Sequence, residues 1–198
     1  MSQVFPNQQK DRFACVALGS NVASAVGSPL DTVRFAIKKI WESGLCLGRI
    51  SHLYEAPAIP AGSGPNFVNA VVRIEGDLPP QDLLEKLHAI EADLGRVRRI
   101  RWAPRSLDLD LLCSGDAILP NPDEYRRWMR MSIERQVEET PENLILPHPR
   151  LQDRGFVLVP MSDVASDWRH PVLGRTVREM LAALPESEIT AIRPIAKN

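Results

Sequence analysis

Apolar residues in the first half of the chain recur in two patterns, short runs typical of strands and longer stretches with helical spacing. The apolar run 13–19 predicts a buried strand that enters a Gly-Ser-Asn turn. Residues 47–54 alternate from one side to the other and residues 67–76 are mostly apolar, so each segment predicts a further strand. The alternating run 107–113 predicts a fourth strand.

Two helices are predicted between these strands from their end residues and their apolar spacing. Ser28 resembles an N-cap followed by a proline and an acidic residue in the first turn, and Gly44 ends this helix. Pro79 and Pro80 open the second helix, which Gly95 closes. Each helix has one apolar face, made by Leu30, Val33, Ile37, Ile40 and Trp41 in the first and by Leu83, Leu84, Leu87, Ile90 and Leu94 in the second.

The order β-α-β-β-α-β predicts an α+β fold of the ferredoxin-like type, an antiparallel sheet with both helices on one face. The other face is left for later elements, so we expect helices on both faces once the C-terminal additions are placed. Residues 156–160 predict a further strand and residues 176–184 a last helix. We expect one domain over residues 13–185, with loose ends at 1–12 and 186–198.

Residues 117–143 do not belong to this plan and predict a helical insertion. Asn121 and Pro122 are suited to cap a helix. Its apolar stripe comprises Tyr125, Trp128, Met129, Ile133 and Val137. We expect a surface excursion that packs as an accessory flap or a dimer contact, and a lid over a site is the alternative.

Composition excludes several classes of protein. With 198 residues, 44% of them hydrophobic, the chain can bury a core without disulfides or a structural metal. Its three cysteines are widely spaced, which argues against a disulfide framework and suits a reducing compartment. No signal-like or membrane-spanning apolar stretch is present, so we expect a cytoplasmic protein without a membrane partner. A net charge of −1 gives no global reason to bind nucleic acid.

A basic stretch directly precedes two carboxylates. Residues 95–105 contain five arginines and Trp102, and Asp108 and Asp110 follow. Two residues apart on a strand, these aspartates face one way with α-carbons ~6.6–6.8 Å apart, which suits Mg²⁺ ions that carry a polyphosphate. Taken separately, the two patterns could be an exposed strand face and a solvated basic turn. Because the chain has no P-loop, phosphate would be held by side chains and metal.

Five blocks of sequence, in this order, resemble one enzyme family. They are G-S-N at 19–21, Y-E-x-P with P-N-F-V-N-A-V within 54–71, E-x-x-L-G-R at 91–96, R-W-x-P-R-x-L-D-L-D-L-L at 101–112, and L-P-H-P-R-x-x-x-R-x-F-V-L-x-P at 146–160. Together they resemble the 6-hydroxymethyl-7,8-dihydropterin pyrophosphokinases. The resemblance implies a ferredoxin-like domain that transfers pyrophosphate from MgATP to the pterin hydroxymethyl group, releasing AMP, in folate biosynthesis.

The resemblance also implies roles for individual residues. The catalytic set is Arg101, Arg105, Asp108 and Asp110, and the two aspartates bind two Mg²⁺ ions. The set implied to bind ATP is Glu91, Arg98, Arg101, Trp102, Arg105, Leu111, His148 and Arg154. The set implied to bind the pterin is Gly19, Ala56, Pro57, Ala58, Ile59, Phe67, Asn69 and Phe156. In it, the rings of Phe67 and Phe156 stack on the pterin and Asn69 bonds its polar edge.

Two alternatives stay open at this point. Ala56 and Ala58 stand where the family usually has Thr and Pro, and Ala103 where it has Gly. Because the substrate loop and the insertion differ from the family while the ATP and metal motifs are intact, a paralogue acting on a modified pterin is one reading. The other is a ferredoxin-like nucleic-acid-binding module that uses the arginines. We expect small-molecule substrates, ATP and a reduced pterin, no nucleic acid, and a monomer or dimer.

Overall fold

Within residues 12–60, 62–94 and 106–196, which the computed structural model describes, six strands form one antiparallel sheet. The strands are β1 Phe13–Ser20, β2 Cys46–Ile50, β3 Tyr54–Ala56, β4 Phe67–Glu75, β5 Asp108–Ser114 and β6 Arg193–Pro194. Their order is β5-β1-β4-β3-β6, and β2 also pairs with β4. This order and the helices between the strands confirm the predicted α+β, ferredoxin-like architecture.

The predicted strand 47–54 is two strands, β2 and β3, separated at Ser51. Ser51 donates its backbone N–H to the carbonyl of Val71 at 2.9 Å, but its Oγ, rather than its carbonyl, accepts from the N–H of Val71 at 2.9 Å. A serine hydroxyl that replaces a carbonyl of the ladder interrupts strand pairing. Both segments still run antiparallel to β4, so the break interrupts the ladder without reversing the chain.

The first face of the sheet carries α1 (Pro29–Glu42) and α2 (Pro80–Asp93) over the larger apolar core. The predicted N-cap is confirmed, because the Ser28 side chain accepts from the N–H of Asp31 and the Asp31 carboxylate accepts from Ser28. Trp41 was expected on the apolar face, but it is 65% exposed. Adjacent helical residues point about 100° apart, and Ile40 occupies the core side.

The predicted strand at 156–160 is wrong, because these residues begin α5 (Gly155–Ala165), which packs on the second face of the sheet. Its buried residues recur with helical spacing and include Val157, Leu158, Met161 and Val164. A short apolar run flanked by Gly and Pro cannot be distinguished from a buried helix by periodicity. The outcome is a second core between α5 and the sheet.

The C-terminal part is more ordered than the sequence suggested. The predicted helix 176–184 ends earlier, as α6 (Val177–Leu181), with Thr176 as its N-cap. Residues 186–198 were expected to be a loose end, yet they include α7 (Glu186–Thr190) and β6. β6 pairs with β3, and the N–H of Ile195 donates to the carbonyl of Leu53 at 2.8 Å.

The insertion contains two helices instead of one, α3 (Pro122–Arg130) and α4 (Ile133–Glu138). Asn121 caps α3 as predicted, and Ser132 caps α4 after an extended residue at Met131. Tyr125 and Trp128 are buried, and the Tyr125 hydroxyl lies 2.9 Å from Nε2 of His170. The insertion is therefore packed onto its own chain.

Candidate active site

One row of residues crosses four strands on the face that α5 partly covers. The antiparallel register pairs Asp108 with Gly19, Gly19 with Asn69, and Asn69 with Tyr54. Directly paired residues point to the same face of a sheet, with α-carbons about 4.5–5.5 Å apart. The row therefore connects one of the two adjacent carboxylates to a buried amide through a glycine.

Gly19 brings no side chain to the middle of this row, and the side chains of Asn69 and Phe67 lie close to it. A Cβ at this position would lie 3.4 Å from Oδ1 of Asn69 and 3.8 Å from Cδ1 of Phe67. A side chain at this position would therefore press on the amide of Asn69 and the ring of Phe67. The glycine of the Gly-Ser-Asn block thus serves close approach to this face, and its φ is not positive.

The end of the row around Asn69 has the features of a slot for a flat, polar-edged molecule. Asn69 is buried, and among the residues the structure describes its Nδ2 has no hydrogen-bond partner. Phe67 is half-buried and pairs across the ladder with Ala56, which is buried like Ala58. A buried N–H without an acceptor costs about 1–3 kcal/mol, so a bound acceptor would be favoured here.

The other end of the row is charged. Asp108 and Asp110 are half-buried and share a face, as predicted, because Leu109 between them points into the core. Arg154 precedes α5, and burial lowers the pKa of its guanidinium while the carboxylates of Asp110 and Asp108 act in the opposite direction. Its Cζ lies 5.7 Å from the centre of the Phe156 ring. Arg154 is therefore near both the acidic pair and the ring of Phe156.

His148 lies next to this charged end as a neutral donor. Its backbone N–H donates to the carbonyl of Leu112 at 2.8 Å, and its ring Nδ1 accepts from the backbone N–H of Arg150 at 3.1 Å. Burial, and after it the Arg154 guanidinium, lowers the pKa of His148 to about 3. At neutral pH the ring proton is therefore on Nε2, since Nδ1 is occupied as an acceptor.

Several predicted residues are placed differently from the rest of the set. Glu91 is 1% exposed and its Oε1 accepts from the N–H of Leu109 at 2.9 Å. The Leu111 side chain is in the core on the opposite face of the sheet. Pro57 and Ile59 are exposed in the segment after β3. The remaining predicted residues, which fall outside the described part of the chain, are Arg98, Arg101, Trp102 and Arg105.

Sequence reasoning missed a clamp that closes the buried end of the row. Oδ2 of Asp163, on α5, accepts from the N–H and Nδ1 of His52 at 3.0 Å and from the Tyr54 hydroxyl at 2.9 Å. Burial raises the pKa of Tyr54 to about 12, and the bond to Asp163 adds to the rise. Tyr54 and Asp163 are 109 residues apart, and no local pattern signals their contact.

The donor set suits Mg²⁺ shared with a substrate. The described residues include no cluster of three or more His, Cys, Asp or Glu side chains that could hold a metal ion by themselves. Magnesium is usually bound by one or two carboxylates together with water and substrate phosphates. Asp108 and Asp110 fit this preference.

None of the described helices is long and apolar enough to cross a membrane.

The fold and the site together define a class of protein. These are ferredoxin-like α+β domains in which a carboxylate pair with a neighbouring arginine lies in the same row as a slot that contains a buried amide and an aromatic ring. Comparison with known sequences identifies the particular group. The sequence model of the 7,8-dihydro-6-hydroxymethylpterin-pyrophosphokinases matches residues 15–166, and the chain belongs to this family.

Individual relatives agree with this assignment. The chain is 34% identical over 199 residues to the 2-amino-4-hydroxy-6-hydroxymethyldihydropteridine pyrophosphokinase of Synechocystis sp., covering 99% of this chain and 88% of the relative. It is 38% identical over 173 residues to the enzyme of the same name from Pseudomonas aeruginosa, covering 86% and 90%.

Solved structures agree on the fold. The crystal structure of a Plasmodium falciparum HPPK-DHPS triple mutant superposes with a TM-score of 0.59 over 96% of this chain. The chain spans 48% of that longer protein, and at 14% identity the likeness shows the fold alone.

Proposed function

We propose that this chain transfers a pyrophosphoryl group from ATP to the hydroxymethyl group of 6-hydroxymethyl-7,8-dihydropterin and releases AMP. In this reaction a bond forms between the hydroxymethyl oxygen and the β-phosphorus of ATP. The bond from the β-phosphorus to the α,β-bridging oxygen breaks and that oxygen leaves with AMP, while the hydroxyl O–H bond breaks and its proton is released. Membership of the family and the names of the bacterial relatives support the reaction.

The row Asp108–Gly19–Asn69 is the observation that carries this proposal. Two strand spacings separate the α-carbons of Asp108 and Asn69 by about 9–11 Å. A polyphosphate held at Asp108 and a pterin held at Asn69 would meet above Gly19, which has no side chain of its own. Holding two reactants in this way contributes most of what a phosphoryl-type transfer requires.

Asp108 and Asp110 would hold Mg²⁺ at the charged end, and two ions are part of the proposal. A bound Mg²⁺ would neutralise charge on the polyphosphate. Arg154 stays cationic at neutral pH and can donate two parallel hydrogen bonds to phosphate oxygens. Neutral His148 can donate a further hydrogen bond from Nε2. Arg98, Arg101, Trp102 and Arg105 remain sequence predictions for the ATP side.

The pterin would occupy the slot at the other end of the row. Phe67 and Phe156 offer aromatic faces, and the Nδ2 of Asn69 would donate to a ring nitrogen or carbonyl of the pterin. Ala56 and Ala58 are buried and small, and the exposed Pro57 and Ile59 would contribute main-chain groups at the rim. Substrate stacking on both sides would exclude water from the reacting hydroxymethyl group.

A nucleic-acid-binding module is not favoured by this geometry. Such a module needs an open sheet face with exposed aromatic residues. Here α1 and α2 pack on one face, α5 packs on the other, and the second core lies between α5 and the sheet. The charged end of the row is therefore interpreted as a substrate site.

An assay of nucleotide products tests the reaction. We expect AMP and the pterin diphosphate to form in equal amounts from ATP, Mg²⁺ and the reduced pterin alcohol, with no AMP when the pterin is omitted. ADP as the nucleotide product would contradict the proposal. As a matched pair, Asp110→Asn should abolish AMP release, and Asp82→Asn, at an exposed position on α2, should not alter it.

A further inference from the structure

Glu91 places a buried carboxylate on the main chain of the strand that carries the acidic pair. Its side chain extends from the last turn of α2, and Oε1 accepts from the N–H of Leu109 at 2.9 Å. Leu109 lies in β5 between Asp108 and Asp110. The contact therefore falls on the peptide segment that separates the two proposed metal ligands.

β5 is a strand whose outer edge needs such a contact. It is the end strand of the sheet and pairs with β1 on its inner side. The N–H of Leu109 reaches Glu91 on α2, so it points away from β1. A strand that is paired on one side only is less firmly held, and a slip of one residue would turn both aspartates into the core.

Two other contacts hold β5 on either side of this point. The Ser20 hydroxyl donates to the carbonyl of Ser106 at 2.5 Å, before the strand begins. The N–H of His148 donates to the carbonyl of Leu112 beyond the aspartates. Leu112 is also the extra residue where the register with β1 shifts. Among these three contacts, that of Glu91 is the one located between the two carboxylates.

We propose that Glu91 is a positioning residue, which fixes the Leu109 peptide and thereby the directions in which Asp108 and Asp110 point. This role replaces the nucleotide-lining role that the sequence resemblance implies, and it rests on the proposed function of the acidic pair. Glu91 acts through the backbone of β5. The hydrogen bond from the N–H of Leu109 to Oε1 of Glu91 is the contact that this role requires.

Two conservative variants separate these roles. Glu91→Gln keeps the side-chain length and an acceptor oxygen but removes the charge. Glu91→Asp keeps the charge but withdraws the acceptor by one methylene. Glu85→Gln and Glu85→Asp, at an exposed position on the same helix, are the matched controls. Measurements are the amide hydrogen exchange of Leu109, the Mg²⁺ concentration for half-maximal AMP release, and the KM values of both substrates.

The positioning role predicts opposite outcomes for the two variants. Glu91→Gln should keep Leu109 protection within about 3-fold of the wild type, because it keeps an acceptor oxygen at the same length. Glu91→Asp should speed Leu109 exchange by about 10-fold or more without changing Leu18, and raise the Mg²⁺ requirement about 10-fold with an unchanged pterin KM.

Other results would overturn the positioning role. One is a raised ATP KM in Glu91→Gln with Leu109 still protected. Another is a Leu109 amide that exchanges equally fast in the wild type and in Glu91→Asp. The exchange measurement does not depend on activity, so a wild-type enzyme that releases no AMP would contradict the proposed function alone.

Discussion

The two ends of the row on the sheet differ in how they are held. The charged end lies on β5, the end strand, where Asp108 and Asp110 are half-buried. The amide end lies on the interior strand β4, where Asn69 is buried and its neighbour Tyr54 is held by Asp163. The charged end has ionic side chains that are partly in contact with water, whereas the amide end has buried side chains that are fixed by packing.

This difference reflects the chemistry each end is suited to bind. Charges near the surface keep most of their hydration, so the aspartates can be ionised before metal and phosphate bind without a large desolvation cost. A flat heterocycle is recognised by ring faces and a few fixed donors, which requires a preformed slot. Substitutions at the charged end should therefore affect turnover, and those at the amide end should affect stability and pterin binding together.

The largest effect is expected at the charged end. Asp108→Asn or Asp110→Asn should lower kcat by at least about 10³-fold, because each removes a carboxylate that would hold metal. The melting temperature should change little, since both side chains are half-buried and asparagine keeps their size. Turnover and thermal melts measured on the same samples check both statements. Near-normal turnover in both variants would remove the acidic pair from the site.

A smaller, combined effect is expected for Tyr54→Phe at the amide end. The variant removes one of the donors to Asp163, so the pterin KM should rise while the ATP KM stays constant. The fold raises the pKa of Tyr54 to about 12, above its ordinary value, so it favours the protonated phenol. The stability this contributes is complete below about pH 10 and disappears as pH rises through 12, at most about 2–3 kcal/mol.

Urea unfolding of the wild type and Tyr54→Phe at pH 8 and pH 11 measures this contribution. The wild type should lose stability between the two values more steeply than the variant. An equal loss of unfolding free energy in both proteins would show that the raised pKa of Tyr54 does not contribute to stability. An ATP KM that rises together with the pterin KM would show that the two ends are not independent.

The smallest effect is expected at His148, on the acid side. Its folded pKa of about 3 lies below the ordinary value, so the unfolded chain takes up the proton first. Stability is therefore complete above about pH 6.5 and falls as pH drops toward 3, by about 2 kcal/mol at pH 5. His148→Asn keeps an acceptor for the N–H of Arg150 and should remove this slope in metal-free protein. An unchanged slope would mean that other groups cause the acid loss.

The sequence by itself determined the features that depend on neighbours a few residues away. Ser28 and Asn121 cap their helices as predicted because capping involves the first helical turn alone. Asp108 and Asp110 share a face because alternation is a property of any strand. The motif blocks identified the family, and the order of elements was sufficient for the fold class.

Tertiary structure decided what depends on distant partners. Residues 156–160 are apolar enough for a strand or a buried helix, and packing against the sheet selects the helix. Local sequence patterns do not predict the contact of Tyr54 with Asp163 or that of Glu91 with Leu109. Each contact joins segments that come together only when the sheet and helices assemble. Local sequence specifies conformation, whereas the partner of a buried polar group is set by the whole fold, because an unpartnered polar group is costly to bury.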